Sequence, residues 1–176
     1  SENFLDRLCA NRIPKNDGNI VLTHLLNSQA RIQSEITITR FSKNNFYVLS
    51  STASELRDLD WFLQNKLKNE KVVINNITND YGVLVLVGPK SRELLSSVTE
   101  ANLNNENFPW LKGKEIMIND IPVKALRINY VGELGWELHH SFTDMEKLYD
   151  LLINKGRQFN ISNFGNYAVN SLRLEK

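Results

Sequence analysis

Two hydrophobic periods alternate along the chain. Phe4, Leu5 and Leu8 fall on one helical face with no capping residue ahead of them, so the chain opens almost inside a helix and its N-terminus reads as cut. Ile20 to Leu26 and Ile32 to Thr39 are rich in β-branched side chains. The polar stretch Asn27 to Arg31 between them has turn length, which predicts a hairpin. Phe46 to Ser50 adds a third strand. Thr52 and Glu55 then show capping-box spacing ahead of Leu56, Leu59, Leu63 and Leu67, which read as one helical stripe.

Lys71 to Ile77 and Val83 to Val87 read as two more strands, the second apolar throughout and so expected to be buried on both faces. Pro89 stands at an expected first helical position, opening Ser91 to Ser97. Thr99 to Gly113 is polar and irregular. Ile116 to Ile118 and Val123 to Tyr130 flank Asn119-Asp120, a hairpin signal opposed by Pro122. Thr143 and Glu146 repeat the capping-box spacing, and Met145, Leu148, Tyr149, Leu152 and Ile153 form an apolar stripe ending at Gly156. A last helix from about Gly165 runs to Lys176 without a stop signal, so this end also reads as cut. Strand groups each followed by a helix predict an α+β fold, with helices packed on largely antiparallel sheets and no linker-like run dividing it. The strand and helix order is roughly duplicated around Lys71.

Composition acts mainly by exclusion. The 176 residues carry 21 Lys plus Arg against 20 Asp plus Glu, a formal charge of +1. Without a basic block there is no field to gather phosphates, so a nucleic-acid partner finds no support. The longest aliphatic run, Val83 to Val87, falls far short of the roughly 20 residues that span a bilayer. A single cysteine, Cys9, excludes an internal disulfide and a multi-Cys zinc site and fits a reducing compartment. Residues 1–10 lack the pattern of a signal peptide. Asn recurs about two dozen times without a period, a composition bias given no functional weight.

The chain has no G-x-G-x-x-G after a strand, no G-x-x-x-x-G-K-S/T, no H-E-x-x-H and no G-x-S-x-G, which removes the common nucleotide, zinc-protease and serine-hydrolase sites. His139 and His140 are adjacent on an expected strand and point to opposite faces, so they read as surface or strand histidines without a metal. His24 is isolated in sequence. Cys9 reads as a small core residue rather than a nucleophile. The segment Arg127 to Leu138 is different: two glycines three apart, Gly132 and Gly135, are flanked by Tyr130 and Trp136 and accompanied by Glu133 and Glu137. A hairpin turn with a partly exposed Trp and solvated carboxylates would account for it. So would a slot for a flat heterocycle, with an aromatic contact and a carboxylate accepting two parallel hydrogen bonds.

Tyr130-Val-Gly-Glu-Leu-Gly-Trp-Glu137-Leu, followed by Ser171-Leu-Arg-Leu-Glu175, closely resembles the folate-binding aminomethyltransferase family. That family includes the glycine-cleavage T-protein and the folate-binding halves of dimethylglycine and sarcosine dehydrogenases. Leu5 to Asn11, Asp58 to Trp61, Gly82 to Pro89 and Asn107 to Trp110 extend the resemblance over essentially the whole chain, closer to the dehydrogenases than to the stand-alone T-protein. It implies a partial T-protein-like fold, with residues 1–176 forming one folate-binding domain truncated at both ends. It implies tetrahydrofolate as cofactor, held by Tyr130, Glu137 and Arg173, and no metal. Glu35, in Gln33-Ser34-Glu35-Ile36-Thr37-Ile38, takes the place of the family's catalytic aspartate, one methylene longer. Alone, Glu35 would be a solvated strand residue on the face of Gln33, Thr37 and Thr39.

The function so implied is transfer of a methylene group, from the oxidation product of an N-methyl amine, to tetrahydrofolate. FAD would sit in a dehydrogenase domain elsewhere in the same full-length chain, and residues 1–176 alone would be inactive. An iminium or aminomethyl donor is the expected partner, with no nucleic acid and no membrane. The location would be cytoplasmic, or the mitochondrial matrix if the source is eukaryotic. A non-catalytic folate-fold binding or regulatory module and a stand-alone T-protein are the alternatives.

Overall fold

The computed structural model describes residues 1–176. The chain divides into two compact units, Ser1–Ile77 and Thr78–Lys176, each built on an antiparallel sheet.

In the first unit, helix α1 (Glu2–Leu8) precedes strands β1 (Ile20–Leu26), β2 (Ile32–Ser42) and β3 (Asn45–Ser50), and helix α2 (Glu55–Gln64) follows. The strands form a meander in that order. Asn27 shapes the β1–β2 turn: its Oδ1 accepts from the backbone N–H of Gln29 at 2.9 Å and of Arg31 at 3.0 Å, while Ala30 takes a φ of 58°. Ile36 and Ile38 of β2 are buried in one cluster with Phe4, Leu5, Leu25 and Phe62, which turns Glu35 and Thr37 to the opposite face. Polar contacts hold β2 at both ends. Ser34 Oγ donates to the buried Asp58 Oδ2 at 2.7 Å, tying the strand to α2. Arg40, 7% exposed, donates to Glu2 at 2.7 Å and to Asp17 and the Pro14 carbonyl at 3.1 Å each. A buried guanidinium without such partners would be strongly destabilising.

Three expectations fail in this unit. The leucine stripe does not face the core: α2 buries Asp58 and Phe62, whereas Leu56 and Leu63 are 76% and 52% exposed and Leu67 lies beyond the helix. The hydrogen bond from Ser34 to Asp58 and the fit of Phe62 against Phe4, with ring centroids 6.2 Å apart, fix which face turns inward. The capping box does not form, because Thr52 joins a short 3-10 turn and no side chain caps α2. Lys71 to Ile77 is not a strand. Val72 and Ile74 do pack on the core while Val73 is exposed, so the alternation is present, yet the backbone joins no ladder. Alternation reports one-sided burial of an extended chain and does not by itself bring a pairing edge alongside. Cys9 and Ala10 already occupy the outer edge of β1, through a bridge between Cys9 and Leu25 and a bond from Ala10 N–H to the His24 carbonyl at 2.9 Å.

The second unit runs β4 (Tyr81–Val87), α3 (Ser91–Ser96), β5 (Gly113–Ile118), β6 (Ile121–Leu126), β7 (Gly135–Ser141), α4 (Met145–Gly156) and α5 (Asn166–Leu174). Its sheet is antiparallel throughout, in the order β4-β7-β6-β5. Leu86, Val123, Trp136 and Leu138 point to one face and share a core with Leu95 of α3 and Leu148 of α4. Val83 and Val85 on the other face are 42% and 46% exposed, so β4 is an edge strand buried on one side only, contrary to the reading of its apolar run. The strand expected to reach Tyr130 ends at Leu126. Pro122 is accommodated within β6 because the ladder to β7 begins only at Val123, and Asn119, at a φ of 53°, closes the hairpin. Pro89 lies ahead of α3 rather than in its first turn, Lys90 being the N-cap. Thr143 does not cap α4; its hydroxyl meets Ser141 Oγ at 2.8 Å.

Exchanging the expected stripe for the observed one has a measurable consequence. In residues 1–176, Phe62→Ala should lower unfolding free energy by about 3–5 kcal/mol, as a buried aromatic truncation does. Leu56→Ala should fall within about 0.5 kcal/mol of the parent. Urea titration of both variants checks this, and a larger loss at Leu56 would restore the leucine face.

Candidate functional site

Tyr130 stands in an irregular loop between β6 and β7 that has no ladder to satisfy its backbone. The buried Asn129 supplies the missing bonds: its Oδ1 accepts from the Gly132 N–H at 2.8 Å and its Nδ2 donates to the Glu133 carbonyl. Gly132 takes a φ of 83°, a conformation that costs side-chain-bearing residues energy. At the far end the Leu134 carbonyl accepts from the Gly88 N–H at 2.8 Å and from Ser91 Oγ at 2.9 Å. A Cβ on Gly135 would lie 2.4 Å from the Leu86 carbonyl oxygen, so glycine is needed there for β7 to approach β4. The loop is clamped at both ends, and Tyr130 projects from it 57% exposed.

Arg173 reaches this loop from α5, its guanidinium carbon 5.0 Å from the centroid of the Tyr130 ring, a cation–π contact. Two residues from separate sequence motifs are thereby brought together. Glu137 lies on β7 between Val85 and Leu126, on the sheet face opposite the core. Its Oε2 is 3.3 Å from Nε2 of His139, and its side chain keeps 24% of its surface exposed. The chain thus presents, within one unit, an exposed phenol ring, a guanidinium and a half-buried carboxylate. Those groups offer an aromatic edge or face, hydrogen-bond donors and an acceptor for paired N–H donors.

Glu35 belongs to the first unit, on the β2 face turned from the core. It sits opposite His24 in the β1–β2 ladder, with His24 Nε2 3.3 Å from Glu35 Oε2. His24 is therefore not isolated. Counting back from the Asn27 turn alone would set residue 24 opposite residue 34; a register shift between Leu25 and Leu26 brings it opposite Glu35.

Other residues take places the sequence did not indicate. Trp136 is fully buried rather than partly exposed, edge-on to Phe108 at 6.0 Å, so it is a core residue and offers no stacking face. Arg127 and Arg92 flank its ring at 5.7 Å and 6.0 Å, and burial, followed by the charge of Arg92, pushes the Arg127 guanidinium below its ordinary pKa. His139 and His140 do point to opposite faces of a strand, but both are buried, not on the surface. No group of three or more His, Cys, Asp or Glu could hold a metal ion. Cys9 follows α1, and burial pushes its thiol up to about 12, which leaves almost no thiolate near neutrality. A cleft of about 290 Å³ lies at Trp110, Arg127 and the Gly132 to Gly135 backbone, beside the Tyr130 loop. A larger one, about 470 Å³, opens over Tyr81, Met117 and Lys124 and holds none of the residues singled out from sequence. Neither cleft is lined by Tyr130, Glu137, Arg173 or Glu35 themselves.

Over residues 1–176 the chain matches the family described as the GCVT N-terminal domain, and it belongs to that family. Among curated proteins it is 42% identical over 177 residues to the mitochondrial dimethylglycine dehydrogenase of Rattus norvegicus, covering 100% of this chain and 20% of that protein. It is 28% identical over 160 residues to the mitochondrial pyruvate dehydrogenase phosphatase regulatory subunit of Mus musculus, covering 90% of this chain and 18% of that protein. The chain thus spans about a fifth of the length of the dimethylglycine dehydrogenases it matches. In fold it is similar to the glycine cleavage system aminomethyltransferase T from Bartonella henselae, with a TM-score of 0.81 at 22% identity over 98% of this chain and 45% of that one. The α+β architecture expected from sequence is the architecture of that protein.

Asn129→Ala should remove two bonds that hold the Tyr130 loop, leaving the Gly132 N–H and Glu133 carbonyl without their partner. The expected loss is about 1–3 kcal/mol. Hydrogen exchange should accelerate at residues 130–134 while β7 stays protected. Unchanged exchange in the loop would show that Asn129 does not shape it.

Proposed function

We propose that this chain is the tetrahydrofolate-binding core of a one-carbon transferase domain, in a protein similar to dimethylglycine or sarcosine dehydrogenase. The observation that carries the reading is the meeting of Arg173 with the exposed ring of Tyr130 on a clamped loop, in a chain of the GCVT N-terminal domain family. The residues fit a pterin. Tyr130 keeps enough free surface for a second contact after Arg173 has packed on it, and Glu137 uses only one oxygen toward His139, leaving Oε1 to accept from an N–H or amino group. Arg173 donates to carbonyl or carboxylate oxygens of the folate. Tetrahydrofolate supplies the two nitrogens that take up the one-carbon unit at the methylene level.

In this scheme Tyr130, Glu137 and Arg173 fix the orientation of the bound folate, which replaces a bimolecular encounter by a positioned one. Glu35 supplies negative charge beside a cationic donor and accepts the proton that leaves an attacking amine. The donor is the oxidation product of an N-methyl amine, formed on FAD in another domain of the full-length protein. Residues 1–176 by themselves therefore turn over no amine. The likeness to mitochondrial dehydrogenases supports the mitochondrial matrix as the location if the source is eukaryotic, and the cytoplasm otherwise.

A second reading has its own support: a regulatory subunit stands among the relatives, so the fold can serve in a protein named for regulation. A folate-binding module without turnover would keep Tyr130, Glu137 and Arg173 and leave Glu35 idle. An assay of methylene transfer to tetrahydrofolate by the full-length protein separates the two.

Two substitutions test the site. Glu137→Ala should weaken tetrahydrofolate binding by about 1.5–3 kcal/mol, the scale of a hydrogen bond to a charged group, with little change in thermal stability. Titration calorimetry giving parental affinity in a folded variant removes the carboxylate from the site. Glu35→Gln should hold folate affinity within about threefold while depressing methylene transfer, because the amide keeps shape but loses charge and basicity. A variant running at full rate would favour the regulatory reading.

A further inference from the structure

Glu35 carries one methylene more than the aspartate that the family resemblance leads one to expect, so its carboxylate has an extra torsion to settle. On an open strand face that freedom would let it swing through solvent, since its side chain is 61% exposed. The structure contains a restraint on it. His24 faces Glu35 directly across the β1–β2 ladder, and its Nε2 stands 3.3 Å from Oε2 of the glutamate. Cross-strand neighbours at this spacing interact whenever their side chains can reach one another.

The imidazole is itself well anchored. The backbone of His24 is held on one side by β2 and on the other by Ala10, whose N–H donates to the His24 carbonyl at 2.9 Å. Asn11 continues the clamp, its N–H donating to Thr23 Oγ1 at 3.0 Å and its Nδ2 to the Leu22 carbonyl at 2.7 Å. The strand that carries Glu35 is anchored one residue earlier, by the bond of Ser34 to the buried Asp58. Both backbones are thus fixed, and the contact between the two side chains decides where the carboxylate stands. Leu22 and Thr37 are the next cross-strand pair on this face, and neither is charged.

We propose that His24 is the positioning residue for Glu35: it holds Oε2 and so presents Oε1 to the reacting groups, and the histidine–glutamate pair does here what a single shorter aspartate would do alone. This rests on the reading that Glu35 acts in one-carbon transfer. An exposed ion pair contributes little to stability, so the role shows in turnover rather than in folding. A loosely held carboxylate binds folate no worse but is in place for a smaller fraction of encounters, which lowers kcat without raising KM.

The test uses the full-length protein with steady-state methylene transfer to tetrahydrofolate, thermal denaturation confirming that each variant folds. His24→Ala should lower kcat about tenfold and leave the KM for tetrahydrofolate within about twofold. His24→Gln, which keeps a donor near the same place, should recover most of that loss. In a Glu35→Gln background, His24→Ala should change nothing further, since the group it positions has lost its function. Parental kcat in His24→Ala, with Glu35→Gln depressed, overturns the positioning role and leaves the role of Glu35 standing. Parental kcat in Glu35→Gln overturns the underlying reading instead, and the proposal with it. A His24→Ala loss of the same size in the parent and in the Glu35→Gln background also overturns the proposal, because it shows His24 acting independently of its neighbour.

Discussion

Burial of one alternating set of apolar side chains on each sheet fixes where the carboxylates of both sheets stand. Ile36 and Ile38 must be buried in the first unit, and Trp136 and Leu138 in the second. Because side chains alternate along a strand, Glu35 and Glu137 are then carried to the opposite face. A one-residue slip in either strand would place a carboxylate in the core, so burial enforces the register at the positions read as functional.

Holding the strands in that register falls to a few polar side chains. Asn27 turns the chain between β1 and β2, Ser34 and Asp58 pin β2 to α2, and Arg40 ties its far end to Glu2, Asp17 and Pro14. In the second unit Asn129 does for the Tyr130 loop what a ladder does for a strand. Each satisfies backbone or charged groups, those at Asn27 in an exposed turn and the others buried or partly buried, and none belongs to an apolar pattern. The sheet and the stapled loop set the geometry in which Tyr130, Glu137 and Glu35 are presented.

The structure also relates the two kinds of residue the family resemblance picked out. Tyr130 and Arg173 meet across a cation–π contact, and Glu137 has His139 at its flank, all in one unit. Glu35 sits in the other unit with a histidine of its own. In both places a glutamate is accompanied by a histidine that lies outside the residues the resemblance assigns to the site. The signal at Glu137 was local, since His139 is two residues away on the same face, whereas His24 comes opposite Glu35 only through the register shift between Leu25 and Leu26.

Sequence alone indicated the α+β class, all five helices and the paired strands except most of β7, of which only His139 and His140 were placed on an expected strand, and it picked out the motif residues Tyr130, Glu137, Arg173 and Glu35. These are written in short-range periodicity and in local strings of residues, which the chain carries wherever it folds. Tertiary structure decided which face of α2 turns inward, that Lys71 to Ile77 extends without pairing, that Val83 and Val85 stay open on one side, and that Trp136 belongs to the core. Those outcomes depend on which distant surface is available, as Phe4 and Ser34 are for Phe62 and Asp58. A helix with two apolar arcs, or a strand with two apolar faces, has the same sequence pattern in either packing, and only the partner in space chooses between them.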